Sequence, residues 1–443
     1  RIVHRLEATV DGWTGPPNRC GVYARRAVTT LTRAVIALLS VALLATSLAV
    51  PVGAAPPRKV EPALATKLQA RLDQWRGNPR APGVAAAVRL PDGSRWMSTS
   101  GRAVRGKSGR DVEVFTPFAA ASLTKTFMAA LILQLKEERK LWLTSPISTW
   151  LPNYPRGKGI TVKMLLNHRS GIADYFAHPR YERKVFGRPR HKWTIGQILA
   201  LTPRPVCAPG KCYRYSNTNY VLLARIVRKV TGRSAAQEIR RRFLVPLGLT
   251  DTFFQGQEKI RRVPAEGYWW TGNGYKRFAD GSRLRPNTSA ATVAHAAGGL
   301  VSSIRDISDW QDALFDGRVL KPRSMQQMQA LHPRSNYGLG MRRAWLDGKA
   351  GLGHGGSLRG FVAVMYRLPE EDLDVSIMTN LGRTSLQGLA DKLTRTTLDH
   401  IAPEPEPTPP PTPTPTEPPT PPPTEPPTPS PSPSPSEEPS PEP

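Results

Sequence analysis

Two strand–turn–strand patterns, one near each end of the foldable part of the chain, constrain its architecture more than any other feature. The first is Val84-Ala-Ala-Ala-Val-Arg-Leu90, the turn Pro91-Asp-Gly-Ser94, and Arg95-Trp-Met-Ser-Thr-Ser100. The second is Phe361-Val-Ala-Val-Met-Tyr-Arg-Leu368, Pro-Glu-Glu-Asp, and Leu373-Asp-Val-Ser-Ile-Met378. Short runs of strand formers bounded by Pro, Gly and Asp read as hairpins. Between them, from Leu141 to Arg262, the pattern is mainly helix and loop, with helices expected over 218–231 and 234–244, ended by Gly232 and by Pro246-Leu-Gly248. A last helix over 385–400 closes the core. Terminal hairpins joined in one antiparallel sheet, flanked by helices and enclosing a mostly helical inserted region, make an α+β fold.

The two ends of the 443 residues fall outside that core. Arg25-Arg26 and Arg33 precede an apolar run from Ala34 to Val50, followed by small residues at Val52-Gly-Ala54, the pattern of a cleaved signal peptide. Residues 1–54 are therefore expected to be a leader and the protein to be exported, secreted or held at the cell surface. An uncleaved anchor is the alternative, since the run is near the shortest that spans a bilayer; membrane association follows only in that case. Residues 1–21 do not resemble a signal n-region and the first methionine is Met97, so translation is expected to begin further in. Residues 403–443 hold 22 prolines and seven glutamates with no lysine or arginine. Such a tail cannot pack and reads as extended spacer. Residues 55–402 remain as the catalytic domain.

Within the core, Ser122-Leu-Thr-Lys125, Tyr215-Ser-Asn217 and His354-Gly-Gly356 occur in that order. A serine hydroxyl needs a neighbouring base to become a nucleophile. Ser122 and Lys125 lie three apart ahead of a strongly helix-forming stretch, which puts both on one face near a helix start, where unpaired N–H groups favour an oxyanion. Lysine acts as a base only if burial or a cationic neighbour depresses its ordinary pKa of about 10.4. Tyr215 offers a second base if held as phenolate, and Asn217 places an amide to orient the lysine or bind a substrate carbonyl. The residues alone leave the choice between Lys125 and Tyr215 open.

These motifs resemble the penicillin-recognising serine hydrolases, in the branch containing class C β-lactamases, D-alanyl-D-alanine carboxypeptidases and esterases. The likeness covers about residues 62–400 and extends to Leu165-Leu-Asn-His-Arg-Ser-Gly-Ile172, Ala297-Gly-Gly-Leu-Val-Ser-Ser303 with Asp306, Ile307 and Trp310, and Tyr337-Gly-Leu-Gly340. The resemblance implies a β-lactamase/transpeptidase-like fold with Ser122 as nucleophile. Lys125 and Tyr215 would share acid/base work, supported by Asn217. His354 stands where the β-lactamases have lysine, and the N–H groups of Ser122 and Ser357, beside Gly356, would hold the oxyanion. Gly355 departs from the pattern, because a hydroxyl often helps hold a substrate carboxylate there. Lys349-Ala-Gly351 and Lys107-Ser-Gly109 also fit the third motif, but the first sits in a turn-rich run and the second precedes the nucleophile. Arg342 or Arg343, just after Tyr337-Gly-Leu-Gly340, is the candidate cation for a substrate carboxylate. The expected substrate is a small peptide, a β-lactam or an ester, cleaved by a carboxypeptidase or β-lactamase-like enzyme. An esterase or amidase of the same fold, or a non-catalytic basic wall-binding protein, is the alternative.

Cys207 and Cys212 enclose Ala-Pro-Gly-Lys and are close enough to pair across a tight turn in an oxidising compartment. Cys20 falls in the leader. No cysteine and histidine spacing suits zinc, and neither metal nor cofactor is expected. The formal charge of +28 is concentrated outside the acidic tail, with basic clusters at 183–192, 225–233 and 240–242. Such a surface attracts anionic cell-wall polymer. Nucleic acid is set aside because no recognition motif accompanies the charge.

Overall fold

The computed structural model describes residues 58–77, 80–107, 109–259, 261–277 and 289–402. The expected leader, its cysteine and the proline-rich tail lie outside the described residues. The sheet strands are β1 (Gly83–Arg89), β2 (Arg95–Val104), β3 (Arg110–Asp111), β4 (Arg342–Leu346), β5 (Lys349–Leu358), β6 (Phe361–Leu368) and β7 (Leu373–Thr379), ordered β3-β2-β1-β7-β6-β5-β4. All neighbours are antiparallel. The two hairpins meet where β1 pairs with β7, Val84 opposite Thr379 and Val88 opposite Val375. The β4–β5 turn is set by Asp347 and Gly348, both at positive φ (+49° and +77°), the geometry that suits strand twist in a two-residue hairpin.

The main helices are α1 (Pro62–Gly77), α2 (Thr124–Glu137), α3 (Asn217–Thr231), α4 (Ser289–Gly298), α5 (Ile304–Phe315) and α6 (Gln387–Ile401). Strand side chains alternate between faces, and both faces of β1 are buried. Val84, Ala86 and Val88 pack with Leu64, Leu68 and Leu72 of α1 and Leu389 and Leu393 of α6. Ala85 and Ala87 lie in the larger cluster, and α5 packs against this strand. That explains a strand with no polar alternation. Leu64, Leu68 and Leu72 recur every four residues, a one-sided apolar stripe that the sequence reading did not single out as a helix.

From Thr124 to Leu133, α2 is buried all round. Its Phe127 ring stacks on Trp310 of α5 at 3.8 Å, and the Trp310 indole N–H donates to Thr126 Oγ1 at 3.0 Å. The helix that follows Ser122 is thus clamped between the sheet and the helical region. The expected 218–231 helix is α3, ended by Gly232 at φ +74°. The expected 234–244 helix is regular over Ala235–Ile239 and widens to π geometry over Arg240–Leu244. Among the described residues no helix is long and apolar enough to cross a membrane.

Candidate active site

Ser122 lies in a 3-10 turn, Ala121–Leu123, that runs directly into α2. Ala121 adopts φ +48°, a left-handed conformation that costs a non-glycine residue strain and that clusters at functional sites. Thr124 fixes the turn: its hydroxyl donates to Ala121 O at 2.7 Å and accepts from Leu300 N–H at 3.1 Å. On the other side β5 runs close by. A Cβ on Gly356 would stand 2.6 Å from Ala120 O and 2.9 Å from Ser122 N, so only glycine lets the strand approach. Ser122 and Ser357 line one cavity of about 280 Å³, together with Tyr215, Asn217 and Ala297.

Lys125, one helical turn after Ser122, is fully buried. Its Nζ lies 3.0 Å from Ser122 Oγ, 2.8 Å from Asn217 Oδ1 and 2.6 Å from Ala297 O. The last contact depends on a break in α4. His295 takes φ +41°, ψ −136° inside that helix, and Gly298-Gly299 follow, with Gly299 N–H closing onto His295 O at 2.6 Å. Burial brings the Lys125 ammonium down to about 7, against the opposing pull of Asp174. Tyr215 OH lies 3.0 Å from Ser122 Oγ, but burial raises its pKa, outweighing the bond to Ser122. Of the two candidate bases, burial favours the neutral lysine and disfavours a Tyr215 phenolate.

Asn217, the first residue of α3, also donates through Nδ2 to Asp174 Oδ2 at 2.8 Å. Asp174 is shielded from water, which raises its pKa despite hydrogen bonds from Phe176 and Asn217. The sequence reading did not select Asp174. It also passed over His168 as a site residue, although His168 sits in the quoted segment 165–172. His168 is buried at φ +58°, accepts the Ser216 N–H at Nδ1 (3.1 Å), and lies against the Tyr215 ring with centroids 4.2 Å apart. It therefore sets where Tyr215 stands. The Cys207–Cys212 disulfide closes just upstream, Cα atoms 6.4 Å apart. Gly171, at φ +73°, packs so tightly there that a Cβ would meet Cys207 O at 2.2 Å.

His354 is buried, with Nε2 2.9 Å from Tyr337 OH. Burial and the Lys125 charge take its pKa down to about 3, so it is a neutral imidazole where the β-lactamases carry a cation. The two arginines part company, since they alternate across β4. The positive charge of Arg342 acts on Tyr213, Tyr215 and His354, whereas Arg343 lies over the exposed Trp345 ring, 6.0 Å from its centroid. Of the two, Arg342 is the one whose charge reaches the groups around Ser122. Lys349 opens β5 and pairs with Glu371 at 3.2 Å, away from Ser122. Among the described residues no cluster of His, Cys, Asp and Glu could hold a metal.

The groups needed for acyl transfer through serine therefore stand together: a nucleophile, a lysine near neutrality, a phenol proton donor and a strand edge. The sequence pattern of the family described as Beta-lactamase matches residues 64–398. The penicillin-binding protein PbpX of Bacillus subtilis is 29% identical over 225 residues, 51% of this chain and 53% of that protein. A teichoic acid D-alanine hydrolase of Staphylococcus aureus is 29% identical over 174 residues, 39% of this chain and 40% of its own. The chain thus spans about half, or less, of the length of these relatives. Among solved structures, a D-amino acid amidase from Ochrobactrum anthropi superposes with a TM-score of 0.67 at 28% identity, over 77% of this chain and 100% of that one. A D-stereospecific amidohydrolase from Streptomyces sp. does so with a TM-score of 0.64 at 28% identity, over 76% and 99%. With site, fold and family pattern in agreement, this chain belongs to the β-lactamase family of serine hydrolases.

Proposed function

We propose that this serine hydrolase is exported and cleaves amide or ester bonds at the carbonyl of a D-amino acid residue, through an acyl-enzyme at Ser122. Neutral Lys125 takes the Ser122 proton as Oγ attacks, and the N–H groups of Ser122 and Ser357 hold the oxyanion. As the tetrahedral species collapses, Tyr215 gives its proton to the leaving nitrogen or oxygen and is reprotonated by the proton Lys125 took. Water then adds to the ester, losing a proton to neutral Lys125, which returns it to Ser122 Oγ as the acid leaves. The observation that carries this reading is Lys125, within hydrogen-bond reach of Ser122 and brought by burial to about 7. The amidohydrolase neighbours support the D-amino acid preference. The neutral His354 and the missing hydroxyl at Gly355 favour substrates with no carboxylate beside the scissile bond. Export is supported by the apolar run before residue 55 and by the disulfide.

A D-alanyl-D-alanine carboxypeptidase is the second reading, favoured by the charge of Arg342 beside Tyr215. Turnover of D-alaninamide, D-alanine methyl ester and a peptide ending in D-alanyl-D-alanine separates the two. The amide and ester are expected to exceed the peptide in kcat/KM by at least about tenfold, with Ser122→Ala inactive on all three. The reverse order, with Arg342→Ala selectively losing the peptide, assigns the carboxypeptidase. Turnover by Ser122→Ala would remove both readings.

A further inference from the structure

A second cavity, of about 320 Å³, continues from the Ser122 cavity and shares Phe176, Ser357 and Leu358 with it. Its far wall carries Trp269, Arg359 and Arg383. The Arg383 guanidinium lies 3.7 Å from the Trp269 ring centroid, and Arg359 lies 3.5 Å from that of Phe186 and 5.1 Å from that of Trp269. Stacking on the Trp269 ring leaves the N–H groups of the Arg383 guanidinium able to bind a carboxylate or phosphate.

The wall is built by the fold. The short strand Tyr268–Trp270 is pinned to the segment after β7, Tyr268 N–H donating to Asn380 O at 3.0 Å and Gly382 N–H to Tyr268 O at 2.8 Å. A Cβ on Gly382 would stand 2.6 Å from Trp269 Nε1, so glycine is what lets the indole close on this segment. Arg383 follows at φ +58°, held over the ring. Among the described residues, Glu182, ion-paired to Arg359 at 2.5 Å, is the one carboxylate lining the cavity, against two guanidiniums, and their balance is cationic.

Direction along β5 says which part of a substrate would reach this wall. Arg342 pairs opposite Gly353, at the His354 end, on the side of Tyr215, the leaving-group proton donor. Leu358 and Arg359 lie beyond Ser357 at the other end, where the acyl portion must extend. We infer that the cavity is an acyl-side subsite for an anionic group, carboxylate or phosphate, carried by the substrate's N-acyl extension. The inference rests on the hydrolase reading and adds to it a substrate class: N-acylated D-amino acid amides or esters bearing a negative charge distant from the scissile bond.

The test uses two amides of equal length, N-glutaryl-D-alaninamide and uncharged N-pentanoyl-D-alaninamide, each as substrate and as competitive inhibitor of p-nitrophenyl acetate turnover. In the parent enzyme the glutaryl compound is expected to have a KM and an inhibition constant about tenfold lower, with the advantage shrinking as salt rises. In Arg383→Ala the ratio of the two inhibition constants should fall to near one, and Arg383→Lys should recover part of it. Equal inhibition by the pair in the parent, or no inhibition by either, overturns the subsite, as does a ratio unchanged in Arg383→Ala. Failure to cleave either amide, with the inhibition ratio intact, would instead remove the D-aminoacyl reading and leave the subsite standing.

Discussion

The most consequential residue is Lys125, a fully buried amine whose three oxygen neighbours come from three separate segments. Burial disfavours its charged form, so the neutral base is populated as pH climbs through about 7. With Lys125 as the base, kcat/KM should rise about tenfold per pH unit below that value and level off above it. A pH–rate profile of ester turnover checks this; a flat profile from pH 5 to 9 would remove Lys125 as the titrating base. For stability the sign is separate. Because the folded pKa lies below the ordinary 10.5, the unfolded chain holds more protons between about 7 and 10.5, and this group's contribution to stability rises with pH across that window. The Ser122–Lys125 pair was legible because it is local to one helical turn. Asp174 and His168 were not, since what they do depends on Asn217 and Ser216, more than forty residues away.

At the scale of elements, the site is a contact between β5 and the turn ahead of α2. Gly356→Ala tests that contact, because its Cβ would enter the space of Ala120 O and Ser122 N. Displacing the turn by a fraction of an ångström misaligns Ser122 with the oxyanion donors, and a loss of about a hundredfold in kcat is expected. The overpacking should cost about 1–3 kcal/mol, leaving a folded protein by circular dichroism. Full activity in the variant would mean the strand and turn are not held against each other. The kink in α4 belongs to the same scale. An uninterrupted helix would direct the Ala297 carbonyl along its axis, whereas the break at His295 turns it to Lys125. The quoted segment 297–303 marked the place but not this function, since a backbone carbonyl leaves no side-chain signature.

Across the whole molecule, the helical region is tied to α2 by charge as well as by packing. Glu238 is buried, with Arg242 at 2.6 Å and Arg241 at 2.8 Å, and Arg242 also pairs with Glu138 near the end of α2. The basic cluster at 240–242 is thus largely neutralised, Arg240 by Glu258. Arg225, Arg228 and Lys229 lie on the exposed face of α3. Arg242→Ala removes one of three arginine partners of buried Glu238 and the partner of Glu138, and should cost about 1.5–3 kcal/mol in denaturant unfolding. A loss below about 1 kcal/mol would show that Arg241 and Arg233 suffice. The sequence by itself determined the two hairpins, the nucleophile turn, the disulfide and the three motifs, because each is a short-range pattern of spacing and turn chemistry. Only the tertiary structure supplied the buried setting that lowers the pKa values of Lys125 and His354 and raises that of Tyr215, and the approach of the Arg342 charge to them. Those outcomes follow from desolvation and from which strand face meets which helix, quantities that exist only once distant segments have packed.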